Sequence, residues 1–412
     1  MEDLLILWKT AKKSGYSCGK VRFWQSPCGN LFGSFFLIYK FFANNPLDIR
    51  KKYIASESEL CYISVMMIIL LLIIFAIICF SIGAGAVIYF KMFVRGDKPG
   101  IPPIPDSFDG KDVEIKGVGD AASHVHDPVI MAPLLEAKRR WASYPLEKLH
   151  IIGAKGTLLC ADLWLAEDFE KSSKRFAILV HGMTDSSSGM AYLAEEYHKL
   201  GINVLAVNLC SHGESYGKTY GLGYKDSWDI LKWMELICKK YGDDSKFILH
   251  GVSMGGATVF NAIALGRFRK PEYVDKVILT VEDSGFSDWM KQISGQVNNG
   301  VGSNFFQKIM TFLVIKGLSF CSFVTGNGFM EKFSPSKNLQ KATAEKGFNF
   351  PILIFHGTKD ILVKPEQAQE LYDSIHNQQK KEVVFVEGAP HIGPYFYDKE
   401  MYMKKIKDCI FS

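Results

Sequence analysis

The stretch 246-KFILHGVSMGGATVFNAIAL-265 decides how this chain is read. It begins with a short apolar run of the kind found in strands buried on both faces. It ends with an apolar run of helical length, Ala257 to Leu265. Between them stands Gly251-Val-Ser253-Met-Gly255. A serine on a sharp strand-to-helix turn needs small residues two positions away on either side, because the backbone there is strained and closely packed. Such a turn pushes the hydroxyl out of the sheet and sets the next amide, that of Met254, at a helix N-terminus. Ser253 is the candidate nucleophile. The competing reading is a glycine-rich turn with a structural serine.

Working outward, apolar strand-like runs alternate with amphipathic helical runs. Strands are expected over 149–152, 157–165, 176–180, 203–207, 246–250, 276–281, 352–355 and 382–386. Helices are expected over 129–141, 190–200, 224–241, 254–265, 365–376 and 399–410. The first two strands lie close enough for an antiparallel hairpin; the others, separated by helices, call for a mostly parallel sheet of eight strands covered on both faces. About 70 residues separate the run ending at Val281 from the one starting at Ile352, far more than one crossover needs. That excess holds the apolar 305-FFQKIMTFLVIKGLSFCSFV-324. It reads either as one core helix or as part of a small helical cap, about 288–345, whose apolar face lines a pocket or leans on a membrane.

A nucleophilic serine needs a base, and the base needs an orienting acid. In a sheet of this type the chain order is Ser, then Asp or Glu, then His. Asp360 follows the 352–355 strand in 356-HGTKD-360, and His391 follows the next strand in 387-EGAPH-391. Both stand in strand-end loops, where sites of open α/β sheets form. Asp360 is the candidate acid and His391 the candidate base; Glu282 and Asp283 are the fallback acids. The oxyanion calls for two backbone donors. Met254 N–H is one; Met183 N–H, in 181-HGMTDSS-187, is the other, with Thr184 next in order.

Composition sets the remaining bounds. The chain has 412 residues, 48% of them hydrophobic and 22% charged, with a net charge of +5, which excludes a disordered or collagen-like chain and offers no basic surface for nucleic acid. The nine cysteines are widely spaced with no CxxC, so no structural zinc site is expected. Cys160, Cys210 and Cys238 read as small buried residues; a Cys18–Cys28 disulfide has no other support. Leu60 to Phe90 carries no charged residue and exceeds the roughly 20 apolar residues of a membrane span. A signal peptide is the rival reading. The lysines and arginines of 1–59 favour a cytoplasmic N-terminus and a large part beyond the membrane. The division expected is a short N-terminal region, 1–59; an anchor, 60–94; a linker and lead-in, 95–134, rich in Pro and Gly at first; and one large domain, 135–412.

With HGMTDSS (181–187), NLCSHGES (208–215), GYKDSWDILKW (223–233), HGVSMGGAT (250–258), VEDSGFSD (281–288), HGTKD (356–360) and GAPH (388–391), the chain resembles the α/β-hydrolase superfamily. The likeness is to its serine aminopeptidase and monoacylglycerol-lipase-like group, and to membrane-anchored bacterial members, over about 135–410. It implies the α/β-hydrolase fold and a serine hydrolase of the esterase, lipase or lysophospholipase kind. Such an enzyme uses no metal or cofactor, and its substrate is a small-molecule or lipid ester. A peptidase on the same fold, or a non-catalytic binding module, is the alternative. The chain departs from the group at Asn208 and Cys210, where Asp and Arg are usual, and at Pro390, where Gly is more usual; His212 reads as structural.

Overall fold

The computed structural model describes residues 57–95, 127–167, 174–301 and 304–411. The expected N-terminal region up to residue 56, the Pro/Gly linker and the Cys18–Cys28 pair lie outside the described residues. The chain divides into two units, 1–75 and 76–412. Of the first, residues 57–75 are described and form the first half of helix α1 (Glu57–Phe93).

The second unit holds the rest of α1 and, in order, α2 (Pro128–Trp141), β1 (Glu147–Ile152), β2 (Leu158–Trp164), β3 (Arg175–Val180), α3 (Ala191–Lys199), β4 (Asn203–Val207), α4 (Tyr224–Tyr241), β5 (Lys246–Val252), α5 (Met254–Arg269) and β6 (Val277–Asp283). Then come α6 (Trp289–Val301), α7 (Phe305–Val324), α8 (Pro335–Thr343), β7 (Ile352–Gly357), α9 (Glu366–Ser374), β8 (Lys381–Val386) and α10 (Lys399–Phe411). The eight strands form one sheet ordered β1-β2-β4-β3-β5-β6-β7-β8. The β1–β2 and β2–β4 pairs are antiparallel and every other pair is parallel.

Alternation along the strands explains their near-continuous apolarity. In β3, Phe176, Ile178 and Val180 join one core with α4 and α5 residues such as Trp233 and Phe260. Ala177 and Leu179 join the core on the other face, with Trp141, Leu193, Tyr197 and Tyr402. Each fully buried Phe, Leu or Ile contributes about 1.5–3 kcal/mol relative to exposure. Cys160, Cys210 and Cys238 are buried and free.

The long interval between β6 and β7 folds as α6, α7 and α8. Helix α7 is not an ordinary core helix, because Phe305, Phe306, Phe312 and Phe323 are at least half exposed. Among the described residues two helices are long and apolar enough to cross a membrane, Ser64–Phe93 and Phe305–Val324. The end of α1 is stitched to the loop after β4: Arg95 Nη1 donates to the Ser211 carbonyl at 2.8 Å, and Val94 pairs with Thr219.

Candidate active site

The sheet order places the ends of β3 and β5 side by side, where the chain runs from β3 to β4 on one flank and then crosses from β4 to β5 on the other. That is the topological switch point at which open α/β sheets form their sites. Ser253 stands there with φ 55° and ψ −121°, a conformation that costs a non-glycine residue about 1–3 kcal/mol. Neighbouring glycines make the turn fit. A Cβ on Gly251 would lie 2.1 Å from the Gly255 carbonyl oxygen, and one on Gly255 would lie 2.0 Å from that of Val180. The Ser253 N–H donates to the Asp283 carbonyl at 2.7 Å, tying the strained turn to β6.

Ser253, His391 and Asp360 come together from three strand ends. His391 Nε2 is 2.9 Å from Ser253 Oγ, and His391 Nδ1 is 2.7 Å from Asp360 Oδ2. Asp360 Oδ1 accepts from the Leu362 and Val363 N–H groups at 2.9 and 2.8 Å, so the carboxylate is fixed in orientation. His356 donates from Nε2 to the Val363 carbonyl at 2.8 Å and faces Asp360 Oδ2 at 3.2 Å. Burial would push the Asp360 carboxyl up, but the His391 and His356 rings outweigh it and hold it well below the usual carboxylate range. With its ionised oxygens facing Nδ1, the acid selects the His391 tautomer whose Nε2 can accept from the serine hydroxyl.

Of the two expected oxyanion donors, one follows Ser253 in the chain and the other lies in the loop after β3. Met254 opens α5, so its N–H has no partner within the helix. Met183 lies in the loop after β3, half-buried. This loop backs directly onto the serine: a Cβ on Gly182 would be 3.3 Å from Ser253 Cβ. His181 is fully buried and holds the loop in shape, donating from Nδ1 to the Gly182 carbonyl at 2.6 Å and accepting at Nε2 from the Leu209 N–H at 3.1 Å. Burial takes this ring down to about 4, so it stays neutral. Thr184, the second candidate, sits at φ 67° with its hydroxyl on the Met183 carbonyl.

Departures noted in the sequence have local solutions. Asn208 Oδ1 accepts from the Ser187 N–H at 2.8 Å, so the side chain still anchors the loop after β3 without a charge. His212 is fully buried, stacks on Tyr220 and meets the Cys210 carbonyl through Nδ1 at 2.9 Å, as a structural residue does. Pro390 precedes His391 in a loop packed on the end of β7, where Gly357 allows the Ala389 carbonyl to come close.

Glu282 and Asp283 are fully buried and lie outside the Ser253–His391–Asp360 chain of hydrogen bonds. Asp283 closes a second network that sequence reading missed. Tyr197 OH meets His250 Nδ1 at 2.9 Å, His250 Nε2 meets Tyr402 OH at 2.9 Å, and Tyr402 OH donates to Asp283 Oδ2 at 2.8 Å. Ser284 Oγ donates to Asp283 Oδ1 at 2.7 Å and accepts from the Ile392 N–H at 3.2 Å, next to His391. Burial pushes Asp283 up to about 6 and Glu282 up to about 8. Burial also takes His250 down to about 3, so that ring bridges the two tyrosines as a neutral imidazole. Among the described residues no group of three or more His, Cys, Asp or Glu is placed to hold a metal ion.

Residues 171–281 match the family model described as "Serine aminopeptidase, S33". Over 87 residues the chain is 37% identical to a multifunctional-autoprocessing repeats-in-toxin of Vibrio vulnificus, a stretch that makes up 21% of this chain and only 2% of the toxin. Over 231 residues it is 21% identical to the uncharacterized protein YqkD of Bacillus subtilis, covering 56% of this chain and 69% of that one. Among solved structures, an esterase of Pyrococcus furiosus aligns with a TM-score of 0.48 and 20% identity over 66% of this chain and 92% of the esterase. With its sheet order and its strand-to-helix turn at Ser253, this chain has the α/β-hydrolase fold, and its residues 171–281 are similar to the serine aminopeptidase S33 family.

Proposed function

We propose that the protein is a membrane-anchored serine hydrolase that cleaves carboxylic esters or lipid acyl bonds through an acyl-enzyme. Ser253 attacks the acyl carbonyl as His391 Nε2 removes its proton. The Met183 and Met254 N–H groups receive the oxyanion. The tetrahedral adduct collapses, His391 returns the proton to the leaving alcohol, and His391 then activates water to release the acid. Asp360 stays ionised and stabilises the imidazolium formed at each step. The observation that carries this reading is the continuous hydrogen-bonded line from Ser253 Oγ through both nitrogens of His391 to Asp360. Helix α1 is the anchor. The charge distribution of 1–59 favours a catalytic domain on the extracytoplasmic side, a placement that protease treatment of intact cells would check.

The experiment is fluorophosphonate labelling of the membrane-embedded protein, alongside turnover of p-nitrophenyl esters of rising chain length. The expected result is labelling and turnover in the parent, with Ser253→Ala abolishing labelling and lowering kcat by about 10⁴–10⁶-fold. A folded parent that neither labels nor turns over would point to a binding module instead. A second reading, a peptidase, rests on the family description matched by residues 171–281. Faster turnover of aminoacyl p-nitroanilides than of any ester would favour it.

A further inference from the structure

Helix α7 is amphipathic in the reverse sense. The face turned to the protein is largely small and polar: Thr311, Gly317, Ser319, Cys321 and Ser322 are buried, beside Ile315 and Leu318. The face turned outward carries Phe305, Ile309, Phe312, Phe320 and Phe323, exposed by 41–72% and spaced as one helical stripe. The helix carries two exposed lysines, Lys308 in its first turns and Lys316 within the stripe, the latter paired with Glu331 at 2.8 Å. The part of α1 within the same unit is arranged likewise. Ser81, Gly85 and Tyr89 face inward, while Ile77, Ile78, Phe80, Val87 and Phe90 face out.

These two small faces meet each other backbone to backbone. A Cβ on Gly85 would lie 2.3 Å from the Leu318 nitrogen, and one on Gly317 would lie 1.8 Å from the Ser81 carbonyl oxygen. Hydroxyls and an amide link the pair: Ser81 Oγ donates to the Leu313 carbonyl, Tyr89 OH meets Thr325 Oγ1 at 2.5 Å, and Asn327 Nδ2 donates to Tyr89 OH at 2.8 Å. Small residues and hydrogen bonds inside with large apolar side chains outside is how helices pack in lipid, where exposing Phe costs nothing and close backbone packing is the available attraction. In water the same stripe would be an uncovered apolar patch.

We infer that α7 and the second half of α1 form one lipid-facing helix pair, so that the helical insertion between β6 and β7 is itself embedded in the acyl layer of a bilayer. The occupant is lipid rather than a second copy of the chain, because the apolar exposure continues from α7 onto α1, a helix long and apolar enough to span a membrane. The pair is fastened to the hydrolase core through Phe93, whose ring lies 6.0 Å from Trp289, and through Trp289, 4.9 Å from Phe286. This goes beyond the proposed reaction and holds whatever bond the site cleaves.

The test is photo-cross-linking of the full chain in phosphatidylcholine and phosphatidylglycerol nanodiscs. p-Benzoylphenylalanine replaces Phe312 or Phe320, and Lys199, on α3 against the opposite face of the sheet, serves as control; circular dichroism confirms folding. Lipid adducts at both phenylalanine positions and none at Lys199 are expected. Covalent dimers at Phe312 or Phe320 in place of lipid adducts would assign the surface to a second copy and overturn the inference. Absence of lipid adducts at both positions would also overturn it.

Discussion

At the strand ends, Asp360, His391, Asp283 and Tyr402 are buried with their polar atoms aimed at one another. Between α1 and α7, Ser81, Tyr89, Ser319 and Ser322 are buried while phenylalanines stand outside. Both regions hide polar groups, for different physical reasons. In the sheet the surrounding core is apolar, so every buried polar group needs a partner, and the partners fix one geometry for chemistry. In the helix pair, on the inference that it faces lipid, the apolar solvent is on the outside. There the hydroxyls and glycines are inward because that is where they can find partners and let backbones touch.

The comparison can be broken most sharply at Asp360. Asp360→Asn keeps the shape but loses the charge that selects the His391 tautomer, and kcat on a p-nitrophenyl ester is expected to fall about 10⁴-fold, about 5.5 kcal/mol of transition-state stabilisation. A loss below tenfold would mean that the buried polar groups at the strand ends are only structural. Gly317→Leu tests the other region. Its side chain has no room beside the Ser81 carbonyl, so the helix pair must separate, at a cost of about 3 kcal/mol in denaturant unfolding from detergent micelles. An unchanged unfolding midpoint would show that the close backbone contact contributes nothing.

The remaining effect is a pH slope, small at any one pH. Glu282 is raised from the ordinary 4.5 to about 8, so between those values the folded protein holds a proton that the unfolded chain has released. Stability therefore falls as pH rises through that window, by at most about 1.4 kcal/mol per pH unit. Glu282→Gln should flatten the slope and leave a protein that is more stable than the parent at the alkaline end. Denaturation curves at about pH 5 and about pH 8 measure it, and a parent whose stability rises between them would contradict the assignment.

Much of the site could be read locally. Gly251, Ser253 and Gly255 constrain a single turn, and Asp360 and His391 each follow an apolar strand, so short-range pattern and chain order were enough to nominate them. The second network was out of reach. Tyr197, His250, Asp283, Ser284 and Tyr402 are spread across the chain and meet only because α3 and α10 pack on one face of the sheet, over β5 and β6. The same limit applied to α7: its composition marks it as apolar, but only its packing against Gly85 and Ser81 says which face is turned outward.

By itself the sequence determined the alternation of strands and helices, the tight turn at Ser253 and the apolar length of α1, and it nominated Asp360 and His391 as candidate acid and base. These depend on hydrophobic period and local backbone geometry, which neighbouring residues carry. The tertiary structure alone decided the register that brings His391 Nε2 to 2.9 Å from Ser253 Oγ, the work of Asp283 as a scaffold, and the direction in which α7 faces. These depend on which distant surfaces come into contact, and burial and hydrogen bonding are properties of that contact rather than of the residues one by one.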